Sequence, residues 1–141
     1  MAMLSAELDR RLAYALLRIA LGVNILLHGA TRIGAGLGAF VDATVQQFAT
    51  TSLPLPVVRT IAFIIPPGEL AIGGLLLIGW YTRWALVAGA VLMIVLIAGT
   101  AVRNDWPTLA TQMLYVLLYY VLLRHRSDDW FGIDAQSHHN P

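Results

Sequence analysis

The sequence predicts an all-α integral membrane protein. It forms a single domain in which four helices cross the bilayer as an antiparallel bundle and a short amphipathic helix occupies the first link. Two observations support this fold class. Of the 141 residues, 58% are hydrophobic and only 12% are charged, whereas soluble domains carry about 25% charged residues. The apolar residues also fall into four stretches of about 20 residues, the length that a helix needs to cross a bilayer.

The four predicted spans are separated by residues that interrupt or end helices. Glycines and prolines lie between the first span and the second, a Tyr-Thr-Arg turn follows the second, and a polar stretch containing Pro107 follows the third. Because the last two links are short, neighbouring helices must run antiparallel. The predicted spans cover residues 12–30, 57–80, 84–102 and 107–123, and a polar C-terminal tail covers residues 124–141.

The first link is long and has a helical pattern of its own. Its apolar residues recur at spacings of three and four, which is typical of a short amphipathic helix. Such a helix could lie along the membrane surface or pack as a lid on the end of the bundle, and both arrangements stay open. The apolar residues of this pattern are Leu37, Phe40, Val41, Val45 and Phe48.

Composition excludes several classes of function. The chain has no cysteine, which excludes disulfides, thiolate metal sites, iron–sulfur clusters and thiol nucleophiles. The net charge is +1 and no basic run exceeds Arg10-Arg11, so nucleic acid is not expected as a partner. Glu7 and Asp9 precede the first apolar stretch and Arg18 interrupts it, unlike in a signal peptide, so we expect the N-terminus to be retained.

The arginines predict the orientation, because cytoplasmic loops carry an excess of basic residues. With the N-terminus inside, five arginines lie on the cytoplasmic side and three lie outside. We therefore predict that both termini face the cytoplasm. The cytoplasmic five are Arg10, Arg11, Arg83, Arg124 and Arg126, and the outer three are Arg32, Arg59 and Arg103.

Glu69 lies near the middle of the second predicted span, about 15–18 Å from either membrane face. A charge at that depth costs about 2.5–3.5 kcal/mol, so it needs a partner, a proton or water. The preceding Pro66-Pro67 should kink or open the helix. Arg18, which is about 9 Å into the first span, is the predicted ion-pair partner of Glu69. The alternative is that such a pair only fixes the register of the bundle.

Polar side chains also line one face of the first predicted span and one face of the fourth. Two interpretations stay open: these side chains join helices through hydrogen bonds, or together with Glu69 they line a pocket for a flat, partly polar molecule such as a quinone. The candidate residues are Arg18, Asn24, His28 and Arg32 on the first span and Gln112, Tyr115 and Tyr119 on the fourth.

The histidines do not predict a metal site. His28 is the only histidine in a predicted span, and a metal needs several converging ligands, so we interpret His28 as a hydrogen-bonded helix contact. The pair His138-His139 is expected to belong to a disordered terminus. No catalytic residue is predicted, because no nucleophile or phosphate-binding loop is visible in the sequence.

Several short motifs resemble a known family. They are Leu-Arg-Ile-Ala-Leu-Gly at 17–22, His-Gly-Ala-Thr-Arg-Ile at 28–33, Glu69 followed by Gly-Gly-Leu-Leu-Leu-Ile-Gly at 73–79, and Thr82-Arg83. In this order the chain resembles the DoxX family of small four-helix membrane proteins, named for the small subunit of archaeal thiosulfate:quinone oxidoreductase. The resemblance covers about residues 18–133.

The resemblance implies a function and a setting. It implies a non-catalytic accessory or anchor subunit of a quinone-linked redox or respiratory complex in a bacterial or archaeal cell membrane. Other membrane or redox subunits, or further copies of the chain, would be its partners, and quinone or lipid its bound small molecule, with no covalent cofactor. The alternative is a stand-alone membrane binder or assembly factor for small hydrophobic ligands or other membrane proteins.

Overall fold

A computed structural model describes residues 2–137, and helices account for nearly all of this part of the chain. No strand occurs within residues 2–137. A single 3₁₀ turn at Arg126–Asp128 precedes the last helix. The helices are α1 (Ala2–Gly34), α2 (Leu37–Gln47), α3 (Leu55–Ile78), α4 (Thr82–Val102), α5 (Trp106–Arg124) and α6 (Ile133–Ser137).

In the described part of the chain, α1, α3, α4 and α5 are the four helices that are long and apolar enough to cross a membrane. The predicted fold class, a helical membrane bundle with a short helix in the first link, is therefore confirmed. The helix ends differ from the predicted spans, most of all in α1. This helix has 33 residues and is about 50 Å long, against about 30 Å for the hydrocarbon core of a bilayer.

Helices α1 and α3 form the most extensive contact of the bundle, and glycines bring their backbones together. Gly22 faces Leu77, and Gly29 faces Leu70 and Pro66. A Cβ atom placed on Gly73 would lie only 2.7 Å from Leu26 Cα. As residue numbers rise along α1 they fall along α3, so the two helices are antiparallel. Small residues allow such close approach between membrane helices.

Helix α3 continues without interruption through Pro66 and Pro67. The predicted kink or opening therefore does not take the form of an opening. Membrane helices tolerate proline where neighbouring helices and local adjustments compensate for the missing N–H groups, and here the backbone around Pro66 packs directly against Gly29 of α1. The helix ends instead at Gly79, whose φ of 67° is a left-handed conformation that glycine adopts without strain.

Helix α2 packs against α3 and α1 through its apolar face, with Val41 buried. Phe48, just after the helix, is also buried, and its ring lies 5.5 Å from the Arg103 guanidinium. On the outer side of α2, the exposed Asp42 forms an ion pair with Arg59 of α3 at 2.9 Å. The short helix in the first link thus covers the end of the bundle at which α3 begins.

The segment after α5 folds back onto the opposite end of the bundle. The Asp134 carboxylate accepts hydrogen bonds from the backbone N–H groups of Tyr81 at 3.0 Å and Thr82 at 2.7 Å. These bonds satisfy N–H groups that the first turn of α4 leaves unpaired. His138-His139, which we expected to be disordered, lies outside the described residues.

Candidate functional site

Glu69 pairs with Arg32 and not with Arg18. The Glu69 side chain is 2% exposed and that of Arg32 is 26% exposed. The predicted Arg18–Glu69 pair was wrong because of the register between α1 and α3. Gly29 packs on the Glu69 Cβ atom, whereas Arg18 lies 11 residues earlier, about 16 Å away along α1.

Arg18 lies instead at the level where α3 ends. Its guanidinium donates hydrogen bonds to the backbone carbonyls of Leu76 and Leu77, the latter at 3.2 Å. Its Nε atom is 3.6 Å from Asp129 Oδ1, and the two side chains are only 2% and 6% exposed. Arg18 therefore ties α1 to the end of α3 and to the C-terminal segment.

The other two candidate residues of α1, Asn24 and His28, make different contacts. Asn24 accepts a hydrogen bond from the Tyr115 hydroxyl of α5 at 3.1 Å. His28 is exposed, and its Nδ1 atom lies 2.9 Å from the Asn24 carbonyl oxygen within the same helix. Asn24 and Tyr115 thus connect α1 to α5, whereas the side-chain bond of His28 joins no second helix.

Tyr119 and Gln112 occupy different surroundings although both belong to the polar face of α5. Tyr119 is almost fully buried and its ring packs on Gly89 of α4. Its hydroxyl makes no hydrogen bond within the described residues. Gln112 lies two turns away, beside a cavity, and its buried Oε1 atom likewise makes no hydrogen bond there.

This cavity, which we call the lateral pocket, has a volume of about 600 Å³. It lies between α2, the first half of α3, the second half of α4 and the start of α5. Its walls are mainly aliphatic, with Val57, Ile61, Ile65, Ile94, Val95 and Ala98 among them. Its polar groups are Arg32, Thr44, Gln47, Thr100, Arg103, Thr108 and Gln112.

Both arginines of the lateral pocket already have anionic or amide partners. Arg32 pairs with Glu69. Arg103 Nη2 contacts Asp105 Oδ2 at 3.1 Å, and Nη1 donates to the Gln47 side chain. Asp105 also caps α5 through the Thr108 N–H, and the hydrogen bonds from Thr108 lower the pKa of the Asp105 carboxyl. The guanidinium groups are thus neutralised where they border the pocket.

Of the predicted site residues, the structure brings Arg32, Glu69 and Gln112 to the lateral pocket, with Glu69 behind Arg32. Helical spacing also places Thr108 on the same face of α5 as Gln112, and Thr108 lines the pocket. Arg103 and Gln47 were not predicted, because they lie at the ends of two other helices, where helical spacing gives no signal. The excess of polar residues at those helix ends was the one sequence feature that could have indicated a polar site there.

A second, smaller cavity of about 260 Å³ lies under the C-terminal segment and is bordered by Thr82, Asp129 and Asp134. None of these residues carried a predicted functional role. Burial raises the pKa of the Asp129 carboxyl above its ordinary value, and the Arg18 guanidinium opposes this shift. Among residues 2–137, no group of three or more histidine, aspartate or glutamate side chains is placed to hold a metal ion.

These features define a multi-pass helical membrane protein with a pocket that opens between its helices. Residues 10–105 match the family of methylamine utilisation protein MauE. Because this match covers more than half of the chain, the protein belongs to the MauE family. No curated protein and no solved structure matches it.

The family match corrects the resemblance to DoxX, which was wrong. The motifs that suggested it include Gly22 and Gly73, which lie where α1 and α3 pack closely against each other. Any antiparallel pair of closely packed membrane helices needs small residues at such positions. Short glycine-containing motifs of this kind therefore report helix packing and do not distinguish one membrane family from another.

Proposed function

We propose that this protein is an accessory membrane component of a redox-related pathway of methylamine utilisation. The family provides the pathway, since its description is methylamine utilisation protein MauE. Other redox proteins of that pathway, soluble or membrane-bound, would be its partners.

The lateral pocket is the observation that supports a binding role. Ligand sites typically have 300–1,000 Å³, mostly apolar walls and a few polar groups that orient the ligand. The lateral pocket has about 600 Å³ and this kind of lining. Within the proposal, the protein holds a small membrane-soluble molecule, such as a quinone or a lipid, for its partners.

The side chains around the pocket suit binding better than bond making. Arginine, glutamine and threonine orient a ligand through hydrogen bonds, and the chain has no cysteine that could exchange electrons through a thiol. Accordingly, the proposed role in the pathway is non-catalytic. A stand-alone binder or assembly factor would use the same pocket, so the state of the purified protein decides between the two roles.

The binding role is tested by filling the pocket. Ala98 lines the lateral pocket, whereas Ala88 is an exposed alanine of the same helix away from it. Protein purified in mild detergent would be extracted, and its bound small molecules quantified by mass spectrometry. We expect Ala98→Leu to lose the co-purifying molecule and Ala88→Leu to retain it. Equal amounts in both variants, or none in the wild type, would contradict the binding role.

The same purification tests the accessory role. Redox proteins that co-purify with the chain in its native membrane would support an accessory component. A monomer or homo-oligomer that carries only its ligand would instead support the stand-alone binder.

We also propose that both termini face the cytoplasm, which places the lateral pocket near the outer face. The support is the excess of arginines at the end of the bundle that holds the termini. A reporter that works only outside the cytoplasm, fused after Pro141, should be inactive. Activity of that fusion would reverse the orientation.

A further inference from the structure

The lateral pocket has its mouth between α3 and α4, on the surface that faces the bilayer. Four aliphatic side chains that line the cavity are also exposed: Val57 and Ile61 of α3, and Ile94 and Val95 of α4. Ile94 lies eight residues before the end of α4, which places it about 12 Å inside a span. At that depth the surroundings are lipid and not water, so the mouth opens into the hydrocarbon.

Helix α2 covers the end of the pocket that is nearest to the membrane surface. The ring of Phe40 lies 5.0 Å from the Arg32 guanidinium, and Gln47 accepts a hydrogen bond from Arg103. Phe48, just after the helix, lies against the same Arg103. All five residues line the pocket. The two arginines therefore fasten α2 over the cavity, so that its aqueous side is covered while its bilayer side is open.

The lining of the pocket changes from polar to aliphatic with depth. Its charged residues lie at helix ends, Arg32 two residues before the end of α1 and Arg103 just after α4. The deepest polar residue is Gln112, six residues after the start of α5, and beyond it the walls are formed by aliphatic residues such as Ile65 and Ile94. Since nine residues separate Ile94 from Arg103, this gradient extends over about 13 Å. It matches a molecule with a polar head near α2 and an apolar tail directed towards the middle of the bilayer.

The polar end of the pocket favours an uncharged head. Among the described residues, Arg32 and Arg103 are the only charged ones that line the pocket, and they are paired with Glu69 and Asp105 respectively. An anionic head would have to displace one of these carboxylates, and a cationic head would meet two guanidinium groups. Phospholipids carry a phosphate and therefore fit poorly. A quinone is membrane-soluble and has an uncharged head, and the redox-related family favours it over a neutral glyceride.

Building on the proposed function, we infer that the lateral pocket takes up a quinone from the bilayer through the mouth between α3 and α4. The quinone head lies under α2, and the tail lies against Ile65 and Ile94. The ligand does not pass through water, and α2 does not have to move for it to bind.

The position of the tail is tested by photolabelling the purified protein in nanodiscs of zwitterionic lipid. The probe is a fully substituted benzoquinone whose alkyl tail ends in a diazirine, and labelled residues are mapped by mass spectrometry. We expect severalfold more labelling at Ile65, which lines the pocket and is 7% exposed, than at Ile64, which is 60% exposed and lies outside it. A probe that only dissolves in the surrounding lipid would label Ile64 more strongly, and this result would overturn the inference.

Two further probes with the same photoreactive tail test the head. An alkyl sulfonate, which is always anionic, should not label Ile65. A monoacylglycerol, which is uncharged, should label Ile65 less than the quinone does. Equal labelling by the sulfonate would overturn the requirement for an uncharged head, and stronger labelling by the monoacylglycerol would overturn the assignment to a quinone.

The entry route is tested by blocking the mouth at one introduced thiol, which the absence of cysteine from the chain makes possible. Ile94→Cys places the thiol at the mouth, whereas Val91→Cys places it at a similarly exposed position of α4 outside the pocket. Modification with a bulky methanethiosulfonate should abolish labelling of Ile65 in Ile94→Cys and leave it unchanged in Val91→Cys. Removing the bulky group with a thiol before the probe is added should restore the labelling.

A variant on the other side of the pocket completes this test. Asp42→Ala removes the ion pair that joins the exposed side of α2 to Arg59, and it should leave the labelling of Ile65 unchanged. Labelling that rises in Asp42→Ala, or that persists after the mouth is blocked, would overturn entry between α3 and α4.

The outcomes separate this inference from the proposed function. If no probe labels Ile65 while Ala98→Leu still loses its co-purifying molecule, the inference fails and the binding function stands. If Ala98→Leu carries the same small molecules as the wild type, the proposed binding function itself fails.

Discussion

Replacing Arg32 by glutamine should destabilise the protein more than replacing Glu69 by glutamine. Glu69 is 2% exposed and Arg32 is 26% exposed. Without Arg32, the Glu69 carboxylate loses its ion-pair partner in the bundle, so it must stay charged at a high desolvation cost or take up a proton. Without Glu69, the partly exposed Arg32 guanidinium lies near the end of α1, where a long side chain can reach water.

The size of this asymmetry depends on pH. Removing one partner of a buried ion pair typically costs about 3–5 kcal/mol. Protonation of Glu69 limits the cost of losing Arg32, because the side chain can take up a proton instead of staying charged. For a glutamic acid with a pKa of about 4.3 in water, protonation costs about 3.7 kcal/mol at pH 7 and about 1 kcal/mol at pH 5. We expect Arg32→Gln to cost up to about 3.7 kcal/mol at pH 7 and much less at pH 5. Glu69→Gln should cost about 1–2 kcal/mol at both.

The assay is the free energy of unfolding in detergent for both single variants and the double variant. The double variant should resemble Glu69→Gln, which corresponds to a coupling energy equal to the cost of Arg32→Gln, up to about 3.7 kcal/mol at pH 7. The matched control is the same cycle with Arg18 and Glu69, whose effects should add to within about 0.5 kcal/mol because the two side chains do not touch. Stronger coupling of Glu69 to Arg18 than to Arg32 would refute the register described here.

Three further predictions concern stability. Gly73→Ala should cost about 1–3 kcal/mol, because its Cβ would lie 2.7 Å from Leu26 Cα, whereas Gly74→Ala, which meets open space, should be neutral or stabilising in the same unfolding assay. Asp134→Ala should cost about 0.5–2 kcal/mol through loss of the bonds that cap α4, and no change would show that water replaces them. Since burial raises the pKa of Asp129, its contribution is fully present below the usual aspartate pKa of about 3.9 and is lost as pH rises through the raised value. Unfolding free energies measured across that range should therefore fall with pH in the wild type more steeply than in Asp129→Asn, and parallel curves would contradict this.

The sequence was sufficient to predict the helices and the polar faces, but not the levels at which polar residues meet. Arg18 and Arg32 do share one face of α1, since 14 residues make nearly four helical turns. Which of them meets Glu69 depends on where each helix starts and ends. The first predicted span begins ten residues after α1 does, since residues that include several charged side chains extend the helix back to Ala2. It also carried the second span past Gly79, where α3 stops.

Only those residues of the lateral pocket that follow helical periodicity could be predicted from the sequence. Helical periodicity identified Arg32 and Gln112, because each belongs to a repeating face of a long helix. Arg103 and Asp105 lie in the α4–α5 link and follow no such repeat. Their placement depends on how α4 ends and on the left-handed Asn104, whose φ is 57°. Tertiary packing, and not local pattern, therefore completes the lateral pocket.

The Arg18–Asp129 and Arg32–Glu69 pairs occupy opposite ends of the bundle and have different consequences. Arg18 and Asp129 join α1 to the C-terminal segment beside the α3–α4 turn. Arg32 and Glu69 lie at the end covered by α2, where Arg32 also borders the lateral pocket. Because about 21 Å of helix separates Arg18 from Arg32, a ligand in the pocket can contact only the second pair directly. The Arg18–Asp129 pair therefore contributes to stability without contacting a ligand in the pocket. The Arg32–Glu69 pair must stay intact, because an unpaired Arg32 would present a net charge to that ligand.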